Sequence, residues 1–305
     1  NPRIGIKYIL NQNLAIKGMW GQFTQFMFTI NQDEELLRLV DFWQVVEKNK
    51  KPQANEHYVL GLEYWISDGN TLSFETYYKP YSTLYDISVV YPDPTDESSY
   101  FTSGTGITWG LELLYQFRIN KLNGWLGYAY SDIEREIDLN LDGIIQTNSE
   151  NYTSNYSKPH SLNFVLNYKL NDKMKNYVIE KLFGRSQIGL TTVFSSGAPY
   201  TPVIGKSYYA GVDLYGSLEQ PYAYLSNING NRNSVRYPDY FRLDFSFTKN
   251  GTIFNKQVQW KWQIVNITDH FNVLLYNWNH YSSPSKVSRV SMFPRIFTFG
   301  VNFEI

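Results

Sequence analysis

Apolar and polar residues alternate with a period of two along most of this chain. The stretch 158–170 is the cleanest. Leu162, Phe164, Leu166, Tyr168 and Leu170 stand opposite Ser161, Asn163, Val165, Asn167 and Lys169. Period two puts successive side chains on opposite faces of a β-strand. The last stretch, 293–305, repeats the pattern, with Phe297, Phe299, Val301, Phe303 and Ile305 against Thr298, Gly300, Asn302 and Glu304. A ribbon of this kind needs something apolar along one whole side, either a protein core or a lipid bilayer.

Eleven such strands are predicted, over 3–10, 14–23, 57–65, 71–79, 105–117, 124–131, 158–170, 185–196, 236–249, 256–268 and 293–305. Most exceed the five or six residues usual in soluble proteins and approach the ~9–11 that cross a bilayer at a tilt. Their connections alternate in length. Short ones fall at 11–13, at Ser67-Asp68-Gly69-Asn70, at 118–123, at 171–184 (where the absence of alternation over 174–183 predicts a little helix) and at Asn250-Gly251. The intervening ones, 24–56, 80–104, 132–157, 197–235 and 269–292, run to roughly 24 to 39 residues. A soluble sandwich has no reason for that alternation, whereas an outer-membrane barrel has short periplasmic turns and long outer loops. The fold expected is all-β, an antiparallel transmembrane β-barrel. Eleven strands are half of twenty-two, the size of the plugged outer-membrane transporters.

One face of these strands is apolar. The other is Gly, Ser, Thr, Asn and Gln with a few charges, and Glu63, Glu75, Glu112, Arg242, Asp244 and Lys261 are expected to line a lumen. Composition agrees. Aromatics make up 17%, with 26 Tyr, 19 Phe and 8 Trp, the residues of membrane-interface belts. Mean hydropathy is −0.39, and no apolar run reaches the ~18 residues of a membrane helix. A net charge of −1 suggests no nucleic-acid partner. With no cysteine, disulfide frameworks and thiolate metal sites are excluded. The chain opens on Asn1-Pro2-Arg3 and enters a strand at once, so it is read as a piece of a longer protein.

No catalytic set stands out, and neither an enzyme nor a cofactor is expected. The four histidines, His57, His160, His270 and His280, read as ordinary rim and loop residues. Asp138-Leu139-Asn140-Leu141-Asp142-Gly143 matches the first half of a calcium loop, but Ser149 stands where the closing Glu belongs. The same residues suit a β-hairpin turning at Asp142-Gly143.

Several local patterns together resemble one family. They are Asn1-Pro2-Arg3-Ile4-Gly5, the stretch from Lys51-Pro52 to Leu62, Phe74 to Lys79, Asn123 to Tyr130, Lys158-Pro159-His160-Ser161-Leu162-Asn163 and Ser195-Ser196-Gly197-Ala198-Pro199-Tyr200-Thr201-Pro202. Arg236-Tyr237-Pro238-Asp239-Tyr240-Phe241-Arg242-Leu243-Asp244, Val265-Asn266-Ile267-Thr268-Asp269 and Pro294 to Ile305 complete the set. In this order they resemble the C-terminal half of the β-barrel of a TonB-dependent outer-membrane receptor, over essentially the whole chain.

The resemblance implies that residues 1–305 are the C-terminal portion of one barrel domain in the cell outer membrane, with the plug absent from this chain. It implies active import of a scarce ligand (a metal chelate, vitamin, glycan or peptide). The energy would come from an inner-membrane TonB complex, reached through the missing part. Expected partners are outer-membrane lipid and the N-terminal barrel half with its plug, with a surface lipoprotein left open. Loop aromatics are the expected ligand contacts, foremost Trp43, Tyr100, Tyr208, Tyr222 and Trp278, since aromatic rings stack on sugars or chelators while tolerating water. The alternatives are a passive porin or adhesin barrel and, less favoured, a soluble all-β binding protein.

Overall fold

The computed structural model describes residues 1–30, 42–48, 50–87, 100–139, 148–170, 177–210, 223–279 and 286–303. In chain order its elements begin with β1 (Arg3–Asn11), β2 (Leu14–Gln25), β3 (Met27–Ile30), β4 (Phe42–Val45), β5 (Gln53–Ser67), β6 (Asn70–Ile87) and β7 (Phe101–Ile119). Then come β8 (Leu122–Leu139), β9 (Asn148–Thr153), β10 (His160–Lys169), α1 (Tyr177–Phe183), β11 (Ser186–Ser195), β12 (Pro199–Tyr200), β13 (Val203–Ala210) and β14 (Ala223–Asn229). The chain ends with β15 (Val235–Arg236), β16 (Tyr240–Ile253), β17 (Lys256–Val265), β18 (Val273–Asn279), β19 (Lys286–Ser291) and β20 (Ile296–Phe303).

One sheet dominates. Its order is β1-β2-β5-β6-β7-β8-β10-β11-β16-β17-β20, eleven antiparallel neighbours taken in sequence order, with β9 paired to β8 as a twelfth strand. These eleven are the strands that alternation predicts. The helix expected in 171–184 is α1. The hairpin expected around Asp142 forms between β8 and β9, where Leu139 pairs with Asn148, while its turn and the calcium pattern fall largely outside the described residues.

Register explains the two faces. Trp20, Tyr58, Tyr78 and Trp109 lie in one row across four strands. Ile16, Leu62, Phe74, Leu113 and Tyr128 lie in the row four residues nearer the short turns. On β5 the apolar residues Tyr58, Leu60, Leu62 and Tyr64 are exposed, while Val59 and Glu63 are half-buried and Gly61 is buried. A soluble sheet hides its apolar side. Here that side is the open one, and Tyr58 and Tyr64 are about 20 Å apart along the strand, near the height of the apolar band between aromatic girdles.

Three differences from the sequence reading have physical causes. β6, β7 and β8 run to 18, 19 and 18 residues, beyond the lengths predicted. Pro80 and the charges of 132–138 suggest loop, yet Pro80 pairs with Ile107 beside a bulge at Tyr81/Leu84, and bulges tolerate proline. The last short turn is Phe254-Asn255, not Asn250-Gly251, because both residues take positive φ (50° and 61°) between paired Ile253 and Lys256, the geometry a two-residue hairpin needs. Gly251 serves another purpose. A Cβ there would stand 2.7 Å from the Trp260 ring. Finally, the outer connections carry hairpins of their own, β3–β4, β13–β14 and β18–β19. Phe28 of the first is buried, stacked on Tyr85 at 5.2 Å and edge-on to Phe101 at 5.2 Å.

Candidate functional site

Charges on the polar face are the first part of the site. Lys7 Nζ lies 2.5 Å from Glu63 Oε2, and Lys17 Nζ reaches Glu63 Oε1 at 2.9 Å and Glu75 Oε1 at 2.5 Å. Lys17 stands in register with Gly61, and Gly61 with Glu75. The lysine therefore reaches across β5 above a glycine. A Cβ on Gly61 would stand 3.1 Å from Glu75 Cγ and 3.2 Å from Lys17 Cε. Glu112 sits beside Glu75 on β7, placing a second carboxylate at the end of this row.

Arg242 and Asp244 form a separate pair. Arg242 Nε lies 3.1 Å from Asp244 Oδ2 as an ion pair. The other carboxylate oxygen accepts the Asn266 amide at 2.9 Å. Asp244 is thereby a structural residue, fixing the corner where the chain leaves β17. Asn266, at φ 54°, accepts the His270 amide and donates to the His270 and Phe293 carbonyls. Asn272 brackets Phe241 with two hydrogen bonds of 2.9 and 2.8 Å. This is why the stretch Val265 to Asp269 has its composition. Asparagine tolerates left-handed backbone and can replace missing ladder partners. Lys261, exposed on β17, belongs to neither charged set.

A cleft of about 390 Å³ lies at the long-loop end, lined by Lys158, Ser161, Val193, Ser195, Tyr237 and Tyr240 among others. Its rim is held where two predicted motifs meet. β12 pairs with β15, Gly197 accepts no side chain because a Cβ would stand 1.7 Å from the Tyr237 carbonyl oxygen, and the Gly197 amide donates to Asp239 Oδ1 at 3.2 Å. Tyr200 and Tyr237 stack there at 4.4 Å, with Tyr276 5.6 and 5.3 Å from them. Burial pushes the Tyr200 and Tyr237 hydroxyls above the ordinary tyrosine range, so both remain neutral donors.

A polar cap ties the outer segments together. Arg232 Nη2 is 3.1 Å from Asp86 Oδ2 and the guanidinium lies 3.9 Å over the Tyr152 ring. The Tyr152 hydroxyl donates to the same carboxylate. Burial first, then Asp86, raise the Tyr152 hydroxyl far above its usual range. Asn233 donates to the Thr153 carbonyl at 2.7 Å, and Arg236 to the Ser157 and Gly197 carbonyls at 2.7 and 3.2 Å.

All six expected lumen residues fall on the polar face. Of the expected loop contacts, Trp43 is exposed on β4, Tyr100 is exposed just before β7, Trp278 is half-buried on β18 and Tyr208 lies on β13 in register with Leu225. They sit on four different connections. Tyr222 lies outside the described residues. The Tyr200–Tyr237–Tyr276 group is absent from the sequence reading because its members are far apart in the chain. Its signal was the pairing of neighbouring strands β11 and β16, which forces the motifs flanking the longest connection to meet at its base.

No protein-family model matches the chain, and no curated protein matches it. Solved structures do. BauA, the ferric preacinetobactin receptor from Acinetobacter baumannii, matches with a TM-score of 0.53 and 12% identity over 99% of this chain and 36% of that one. The FpvAI–pyocin S2 complex matches with a TM-score of 0.56 and 14% identity over 98% and 31%. FpvA of P. aeruginosa bound to heterologous pyoverdines gives 0.53 and 15% over 98% and 32%. BauA and FpvA are TonB-dependent receptors, and the chain shares the fold of their β-barrel wall. It spans about a third of the length of each of these structures.

Proposed function

We propose that residues 1–305 belong to a single barrel domain of an outer-membrane active-transport receptor, forming part of its wall and outer loops. The observation that carries this reading is the inverted sheet: an open apolar face between aromatic rows, a charged and glycine-rich opposite face, and long outer hairpins on every second connection. Lipid covers the first face. The second lines the path of a ligand. A ligand lands among the outer hairpins, meets Tyr200, Tyr237 and Tyr276 at the rim with Trp43, Tyr100, Tyr208, Tyr222 and Trp278 as further contacts, and moves inward along the polar wall. The remaining wall, a plug and the contact with TonB lie in the rest of the receptor. The function is transport, with no bond-making step.

Iron chelates are the favoured ligand class, because two of the structural neighbours are named for a ferric chelate or contain one. Stacked neutral tyrosines suit flat aromatic chelators. The test is uptake of radiolabelled ferric chelates, cobalamin, glycans and peptides by cells with and without the intact receptor gene, in TonB-competent and TonB-deficient backgrounds. Saturable uptake of one class that needs both genes is expected. Uptake that persists without TonB would make the protein a passive porin. A chain that stays monodisperse without detergent would remove it from the membrane.

A further inference from the structure

The polar face changes sign along the wall. At its long-loop end Arg3, Gly21 and His57 lie in one row across β1, β2 and β5. The ladder that joins Tyr58 to Tyr78 and Asn55 to Tyr81 brings Lys79 of β6 opposite His57. Alternation puts this row on the face of Val59, Gly61 and Glu63. Gly21 makes room in it. A Cβ there would stand 3.0 Å from Arg3 Cγ and 3.2 Å from the Phe23 ring. Arg3 folds across the gap with its guanidinium 4.2 Å over Phe23, and Phe23 packs on the His57 ring at 4.2 Å. Lys79 Nζ stands 4.3 Å over the Tyr77 ring. Among the described residues neither Arg3 nor Lys79 has a carboxylate partner.

The acids of this end stand elsewhere. Glu56 accepts from Trp20 and Tyr58 on the apolar face. Asp132 and Glu134 share that face, in register with Trp109 and Ile107. On the polar face Asp86 is held by Arg232 and Tyr152. Glu75 and Glu112 lie four residues further in, roughly 13 Å of strand. Glu150, opposite Ile137, lies as far out on the other side.

We propose that this row is an anion site and that the ligand it takes is a polycarboxylate. The proposal rests on the receptor reading and names the chemistry of its ligand. Arg3 offers the fork that pairs with both oxygens of a carboxylate. Lys79 offers a second, separate charge. Arg3 leans over β2 while Lys79 lies along its own strand, so the two do not converge on one group. The backbones beneath them are three strand spacings, about 14 Å, apart. A ligand that meets both carries at least two acid groups. With the acids turned to the other face, the field at this end of the wall draws anions to the polar side. A carboxylate chelate of iron and an acidic oligosaccharide share this chemistry.

The test is isothermal titration of the whole receptor in detergent with ferric citrate and trigalacturonate, and with ferrichrome and maltotriose as neutral counterparts. Heat-modifiable mobility confirms that each variant is folded. One of the two polycarboxylates should bind roughly tenfold more tightly than its neutral counterpart, and which one does so tells chelate from glycan. Arg3→Gln and Lys79→Gln should each weaken that binding by roughly tenfold. Lys261→Gln, which removes the same charge elsewhere on the polar face, should leave it unchanged. Neutral counterparts that bind as tightly, no binding of either polycarboxylate, a folded double variant of Arg3 and Lys79 that binds like wild type, or an equal loss from Lys261→Gln would each overturn the proposal. TonB-dependent uptake of a neutral ligand without anion binding would remove this site and leave the receptor reading. Anion binding without TonB-dependent uptake would do the reverse.

Discussion

Gly61→Val is expected to dismantle the charged ladder without touching a charge. A Cβ at position 61 would stand 3.1 Å from Glu75 Cγ and 3.2 to 3.3 Å from two carbons of Lys17, contacts a flexible side chain can just absorb. The two γ-methyls of valine extend into the space Lys17 crosses, and the lysine must leave Glu75. Lys17, Glu63 and Glu75 keep 32%, 22% and 35% of their side-chain exposure. Each bond is therefore nearer the surface value of ~0.2–1 kcal/mol than the buried one. Losing both costs up to about 2 kcal/mol. The assay is urea unfolding of the whole receptor in lipid vesicles, followed by tryptophan fluorescence. Lys17→Met should lose a similar amount, and the double variant should be little worse than either single one, a coupling of about 1 kcal/mol. Full additivity, or an undiminished midpoint for Gly61→Val, would show that glycine is not there to let the lysine cross.

Leu62→Arg places a charge on the apolar face between the two tyrosine levels of β5 and should cost about 2–4 kcal/mol, while Val59→Arg on the other face costs under about 1 kcal/mol; folded fraction against urea in vesicles reads both. Asn266→Ala strands the His270 amide and the Phe293 carbonyl and leaves alanine at φ 54°, a loss of about 3 kcal/mol seen as a lower temperature for loss of heat-modifiable mobility. Tyr152 has a raised folded pKa, so its contribution to the cap is complete below the ordinary tyrosine pKa near 10 and fades as pH climbs above it. Tyr152→Phe should flatten that alkaline loss of amide-exchange protection in 148–157 and leave neutral pH behaviour nearly unchanged apart from one hydrogen bond.

Alternation made all eleven wall strands legible, because one apolar face has to be continuous and a slip of one residue would turn it inward. What alternation could not show is where strands continue above the membrane. There both faces are wet, so Pro80, Asp132 and Glu134 look like loop although their backbones remain in the ladder. The outer hairpins β3–β4, β13–β14 and β18–β19 were hidden for the same reason. Membership of the polar face was readable for Glu63, Glu75 and Lys17, but not that Lys17 would bypass Gly61, which depends on register between three strands. The tyrosine group at the rim needed the contact between β12 and β15, two-residue strands that local pattern does not register. The corner at Asn266 was visible as a motif, and its reason became visible only once Asp244 and Asn272 were placed beside it.

Which face of this sheet meets lipid can be read directly along β5. These 305 residues hold no cysteine, so single cysteines from Tyr58 to Tyr64 can be placed one at a time in native outer membranes, in a whole receptor whose cysteines elsewhere are replaced by serine. Each is then labelled with a membrane-impermeant maleimide and, separately, with a fluorophore quenched by brominated lipid. Alternation is expected: Val59 and Glu63 positions label from water, whereas Leu60 and Leu62 positions resist labelling and are quenched by lipid. Uniform labelling along the strand, or the reverse alternation, would contradict it.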